Sequence, residues 1–145
     1  MSTLFSRPCE YALQAVSYLA LQPAGKKTSI KELTQRLKIP YHFLAKILQN
    51  LTYKKILVSQ KGPSGGFALA LPPERITLYH IVEAIDGSEY SRKCVMGFPK
   101  CSSKNPCAVH YPWASIREGI TSMLATKSVA EMVKAMKKPE YRSTR

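Results

Sequence analysis

Acidic side chains are scarce in this sequence. Nine Asp and Glu stand against 22 Lys and Arg, a formal net charge of +13 over 145 residues. That imbalance speaks against a small acidic electron carrier and for a polyanionic partner. A basic surface kept only for solubility is the plainer alternative. Long apolar runs are also missing. None approaches the ~18–20 residues that span a bilayer, and Arg7, Pro8 and Glu10 interrupt the N-terminal stretch a signal peptide would use. The expected compartment is a reducing cytoplasm, with no membrane partner. There, four cysteines point to metal or redox chemistry rather than a disulfide framework. The chain has no nucleophile elbow, no phosphate-binding loop and no paired carboxylates near a histidine, so an enzyme is not expected.

What is present reads as a mainly α chain with one small β-hairpin. Its apolar content, 45%, is enough for a core. Tyr11, Leu13, Val16, Leu19 and Ala20 recur with a helical period, ended by Pro23 and Gly25. Ser29 and Glu32 have capping-box spacing ahead of Ile30, Leu33 and Leu37. Pro40 suits the first turn of a third helix, "YHFLAKILQNLTYKK", with Phe43, Leu44, Ile47, Leu48 and Leu51 as its buried stripe. "ILVSQ" and "FALAL" then flank a tip with three glycines and a proline in five positions, a hairpin signature. "TLYHIVEAIDG" reads as a helix closed by Gly87. From Ser88 to Pro112 no period holds. A helix resumes near Trp113 with Ile116 and Ile120 as its stripe, followed by a capping pair at Ser128 and Glu131. The predicted organisation is a DNA-binding unit at 1–87 with a wing at about 57–71, a cysteine-bearing loop at 88–112, helices at 113–137 and a frayed tail at 138–145.

Three helices followed by a hairpin is the order of a winged helix-turn-helix. Its third helix enters the major groove. The residues off the apolar stripe are then the DNA-binding candidates: Tyr41, His42, Lys46, Gln49, Asn50 and Lys54. Amides such as Gln49 and Asn50 suit base edges, and the lysines suit phosphates. On the wing, Lys61, Ser64 and Gly65 complete the set, with glycines letting the backbone lie close to a sugar-phosphate wall. An ordinary solvated helix face would carry similar residues; the hairpin lysine and the net charge favour DNA.

"CVMGFPKCSSKNPCAVH" sets Cys94, Cys101, Cys107 and His110 in a C-x6-C-x5-C-x2-H pattern. Structural zinc favours two tight pairs, and only Cys107 and His110 are tight. Three spaced thiolates better suit an iron–sulfur cluster. Arg92, Lys93, Lys100 and Lys104 add a positive field that favours thiolate. Cluster, zinc and bare redox thiols all remain open on spacing alone. Cys9, His42 and His80 read as packing or surface residues.

Taken together, "EYALQAVSYLA", "SIKELTQRLKIPYHFLAKILQNL", "LVSQKGPSGGFALA", "ITLYHIVEAIDG" and the cysteine loop resemble the Rrf2 family of bacterial transcription regulators over nearly the whole chain. The resemblance implies a homodimer on a palindromic operator in double-stranded DNA, paired through a long helix from about Trp113 to Ala125. It implies that Cys94, Cys101 and Cys107 hold an iron–sulfur cluster, 2Fe-2S or 4Fe-4S, that senses redox state, nitric oxide or cluster supply. The fourth ligand would be His110 or, from the partner subunit, Glu10. Repression by operator occupancy is the expected mode. Two departures stand out: the first cysteine gap is one residue longer than the family pattern, and Lys61 stands where arginine is common.

Overall fold

The computed structural model describes residues 4–88, 92–99 and 102–136. Cys101 and the tail at 138–145 lie outside the described residues. Six helices and one two-stranded antiparallel sheet follow in the order α1 (Arg7–Ala20), α2 (Ile30–Leu37), α3 (Tyr41–Tyr53), β1 (Leu57–Gln60), β2 (Gly66–Leu69), a 3-10 turn (Pro73–Arg75), α4 (Leu78–Asp86), α5 (His110–Thr126) and α6 (Val129–Ala135).

Local chemistry accounts for most boundaries. α1 starts before its apolar period does, because Ser6 caps it through the Cys9 amide at 3.2 Å and Pro8 occupies the first turn. Ser29 caps α2 through the Glu32 amide at 3.1 Å. The Glu32 carboxylate accepts from the Tyr18 hydroxyl at 2.9 Å, which ties α2 to α1. Pro40 is the residue before α3 rather than part of its first turn. The reciprocal capping box of the molecule falls at Thr77 and His80 in front of α4, where sequence spacing had not placed one.

Leu33, Leu37, Leu44, Leu48, Leu51, Ile76 and Ile81 form the floor of one core with Ala12, Ala15 and Val16 of α1. Each such aliphatic side chain contributes about 1.5–3 kcal/mol by burial. Val129 of α6 is fully buried in that core, so α6 packs onto the first unit rather than extending away with α5. Two backbone bonds fasten the joint: Leu78 N–H to Lys127 O at 3.0 Å and Val129 N–H to Ile76 O at 2.8 Å. A smaller cluster joins Cys9, Val82 and Leu124, linking α1, α4 and α5.

Two expected stripes differ from the structure. Phe43 is 57% exposed, because its position turns it to the flank of α3 away from Leu44 and Leu51. On α5, Ile116 is 56% and Met123 is 49% exposed, while Leu124 alone of this group is buried. α5 therefore meets the core at its C-terminal end and leaves an apolar face uncovered within the chain. Among the described residues, no helix is long and apolar enough to cross a membrane.

Candidate functional sites

The third helix divides by angle. Successive residues turn 100°, so His42, Lys46, Gln49 and Tyr53 share one outward face, and all four are exposed. Tyr41 is exposed beside them, with its ring edge-on to His42 at 6.1 Å. Asn50 and Lys54 lie on the flank instead. The Asn50 amide donates to the Ala84 carbonyl of α4 at 3.3 Å. Lys54 lines a cleft of about 600 Å³ with Lys55, His80, Glu83 and Ala84. The periodicity marked both residues as polar and off-stripe; it carried no sign that α4 would pack alongside them.

The hairpin pairs Leu57 with Leu69, Val58 with Ala68, Ser59 with Phe67 and Gln60 with Gly66. Lys61, Gly62, Pro63 and Ser64 are exposed at its tip. The glycines have a reason the sequence reading did not supply. A side chain at Gly65 would meet the Gln60 carbonyl at 2.1 Å, and one at Gly66 the Thr28 carbonyl at 2.4 Å. Gly66 also holds φ at 151°, in the range that favours glycine. It admits Thr28 against the wing, where Thr28 and Phe67 exchange bonds of 2.9 and 2.8 Å. Gly65 thus lets the hairpin close on itself, and Gly66 lets the wing seat against the body.

The second site is built by the start of α5 and the turns before it. Cys94, Cys107 and His110 line one pocket of about 170 Å³, together with Phe98, Ser102, Asn105 and Pro106. The backbone amides of Phe98 and Met96, then the Cys107 side chain and the Gly97 amide, hold the Cys94 thiol below its ordinary pKa. Both cysteines, free and half-buried, thus face one pocket from positions 13 apart in the chain. His110 opens α5, its N–H bonded to Cys107 O at 3.1 Å, and its buried ring stands edge-on to Tyr111 at 4.9 Å. Trp113 Nε1 donates to Lys93 O at 3.2 Å. Ser102 and Asn105 are pocket residues that spacing rules could not name; their Ser-x-x-Asn turn, closed by Asn105 N–H to Ser102 O at 3.3 Å, was the available signal.

Glu10 is half-buried in the first turn of α1 and does not line this pocket. Cys9 is fully buried, and its thiol is pushed up to about 12 by burial first and then by Asp86. Asp86 meanwhile accepts both the N–H of Ser6, at 2.9 Å, and the Ser6 hydroxyl.

A family model described as Rrf2, iron-dependent transcriptional regulator, matches residues 5–135. An Aquifex aeolicus protein assigned as an HTH-type transcriptional regulator is 33% identical over 132 residues, covering 90% of this chain and 91% of that one. The regulator IscR of Xenorhabdus nematophila is 28% identical over 124 residues, 86% of this chain and 75% of its own. Among solved structures, CymR, the global cysteine regulator of B. subtilis, superposes with a TM-score of 0.76 at 21% identity, over 93% of this chain and 98% of that one. T. potens IscR gives 0.74 at 20% identity, over 93% and 91%. At such identities the likeness speaks for the winged-helix fold. With the family model spanning nearly the whole chain and a relative one-third identical along nine-tenths of it, this chain belongs to the Rrf2 family and is a DNA-binding transcriptional regulator, not an enzyme.

Proposed function

We propose that this regulator binds a palindromic operator as a homodimer, represses by occupying it, and is controlled by an iron–sulfur cluster held by Cys94, Cys101, Cys107 and His110. The observation that carries the cluster reading is that Cys94, Cys107 and His110 line one small pocket. The donor types, thiolate and imidazole, are those such a group takes, although among the described residues no three such side chains stand close enough together to hold a metal ion. Amides directed at a thiolate sulfur stabilise it and tune a bound cluster. Cys101 joins the set on its place in the sequence. His110 is favoured over Glu10 because it lines the pocket from its own chain. When bound, the cluster supplies the redox-responsive centre.

The chain's own residues supply the rest. The amides of the Cys94 turn favour the thiolate form that ligation needs. His110 begins α5, whose far end packs Leu124 against Cys9 of α1 and Val82 of α4. α4 in turn holds Asn50 of the recognition helix through Ala84. A shift at the pocket end of α5 thus has a packed route to α3, and a coupling of about 1–3 kcal/mol changes occupancy 5–150-fold. Dimerisation is supported by Tyr111, Ile116 and Met123, all exposed on α5, and by a groove of about 420 Å³ along Ala114, Thr121, Ser122 and Ala125 of the same helix. DNA contact is assigned to Tyr41, His42, Lys46 and Gln49, with Lys61, Ser64 and Gly65 on the wing.

The pocket shared by Cys94 and Cys107 also favours a second reading, in which the two thiols themselves form the switch; S. aureus CymR has been solved in an oxidised form. Purification without oxygen, followed by a visible spectrum and iron and sulfide analysis, separates the two. Brown protein that loses colour in Cys94→Ala supports the cluster; colourless protein with full operator affinity overturns it. Operator titrations test the DNA surface. Affinity should fall roughly 10³–10⁵-fold between 50 and 200 mM salt if the dimer meets 6–10 phosphates. Lys46→Ala should lower the salt slope by about 1, and Lys54→Ala, facing α4, should leave it unchanged.

A further inference from the structure

Among the described residues between α4 and α5 no helix or strand is found, yet Cys94 and Cys107 line one pocket. Cys107 is placed by α5, since His110 N–H bonds to its carbonyl as the helix starts. Cys94 lies 13 positions earlier, and its own turn, closed by Gly97 N–H to Cys94 O at 3.0 Å, is local. A local turn shapes the thiol's surroundings without setting where the turn sits. A side-chain bond spans the gap: Trp113 Nε1 to Lys93 O, across 20 residues, from the first turn of α5 to the residue before Cys94. Trp113 is also the chain's single tryptophan.

We infer that Trp113 is a positioning residue for the cysteine pocket: its indole N–H, by holding the Lys93 carbonyl, sets Cys94 within reach of Cys107 and His110. α5 then organises both sides of the pocket, one through the backbone ahead of His110 and the other through the indole. This inference rests on the reading that the loop cysteines act together. It does not depend on which group they hold.

The donor, rather than the ring's bulk, is the part that can be removed cleanly. Trp113→Phe keeps an aromatic body and loses the N–H. Trp113→His restores a ring N–H at the same bond separation from Cβ. Each is compared with the parent in reduced, metal-free protein of this whole sequence carrying Cys101→Ser, so that Cys94 and Cys107 are the two half-buried thiols left in the loop. The probe is phenylarsine oxide, whose arsenic bonds two neighbouring thiolate sulfurs and releases water. Trp113→Phe should bind it about tenfold more weakly, the size of one lost hydrogen bond, and Trp113→His should recover much of the difference. Alkylation of Cys94 by iodoacetamide should stay within about twofold of the parent, because the amides around its sulfur belong to the same turn. Thermal midpoints are measured alongside, so that general unfolding registers in both assays. Equal arsenical binding by the parent and Trp113→Phe overturns the role of Trp113. A parent that does not bind the arsenical overturns the paired-thiol reading itself, and this inference with it.

Discussion

Residues 6–87 and the described parts of the cysteine segment, 92–99 and 102–109, obey different physics. The first region is held by burial. Nine leucines and isoleucines with a relative exposure near zero form its core, and side chains cap most helix starts. The second exposes Val95, Met96 and Phe98 and is shaped by turns. A region held by burial keeps its form whatever happens at the surface, as a DNA-reading face requires. A region held by a few hydrogen bonds has a shape that a ligand or a redox event can change, because little apolar area opposes the change. The boundary between them is Gly87, whose φ of 66° ends α4.

The largest test of this contrast removes one side chain from each region. Leu48→Ala should cost about 2–5 kcal/mol, since Leu48 is fully buried in the core. Cys94→Ala should change the stability of metal-free protein by no more than about 0.5 kcal/mol while abolishing cofactor retention. Urea denaturation of both variants decides it. A strongly destabilised Cys94→Ala would mean that the segment is a structural part of the fold.

A finer test uses glycine. Gly66 and Gly97 both have positive φ, at 151° and 86°. An added Cβ at Gly66 strikes the Thr28 backbone, whereas at Gly97 it meets nothing within 4 Å. Gly97→Ala should therefore cost about 1–2 kcal/mol, the intrinsic left-handed penalty, and Gly66→Ala clearly more, with loss of operator binding as the wing parts from Thr28. Thermal melts and operator titration of the two variants measure the difference; equal costs would place the wing in the loosely held class.

The smallest effect separates two thiols. In native protein at neutral pH, iodoacetamide should modify Cys94 and spare Cys9, as mass spectrometry of the digest would report. Cys9 has a raised folded pKa, so the stability from its neutral form is fully present below the ordinary thiol pKa. That stability is lost as the pH climbs from there toward about 12. Cys9→Ala should flatten the fall of the melting temperature above about pH 9. An unchanged alkaline limb would mean that Cys9 is not the group responsible.

Much of this was legible from the order of residues. The apolar periods located the helices, the serine at position 29 and the serine at 128 marked starts that the structure keeps, and the glycine-rich tip fell between the two strands it joins. Composition pointed to a polyanionic partner, and the quoted motifs to the family that the comparisons bear out. These are properties of neighbouring residues, and local chemistry is enough to set them.

Tertiary structure decided which polar groups were left for a partner. Asn50 and Gln49 are adjacent amides of the same helix, alike in sequence. The packing of α4 turned one to the Ala84 carbonyl and left the other exposed. Gly65 and Gly66 looked like concessions to DNA, and close approaches inside the protein require them. The tie from Trp113 to Lys93 and the pocket shared by Cys94 and Cys107 join residues far apart in the chain. A period reports whether a side chain prefers water or oil. It does not name the neighbour, because that depends on how separate elements cross, and the crossing is settled only when the whole core packs at once.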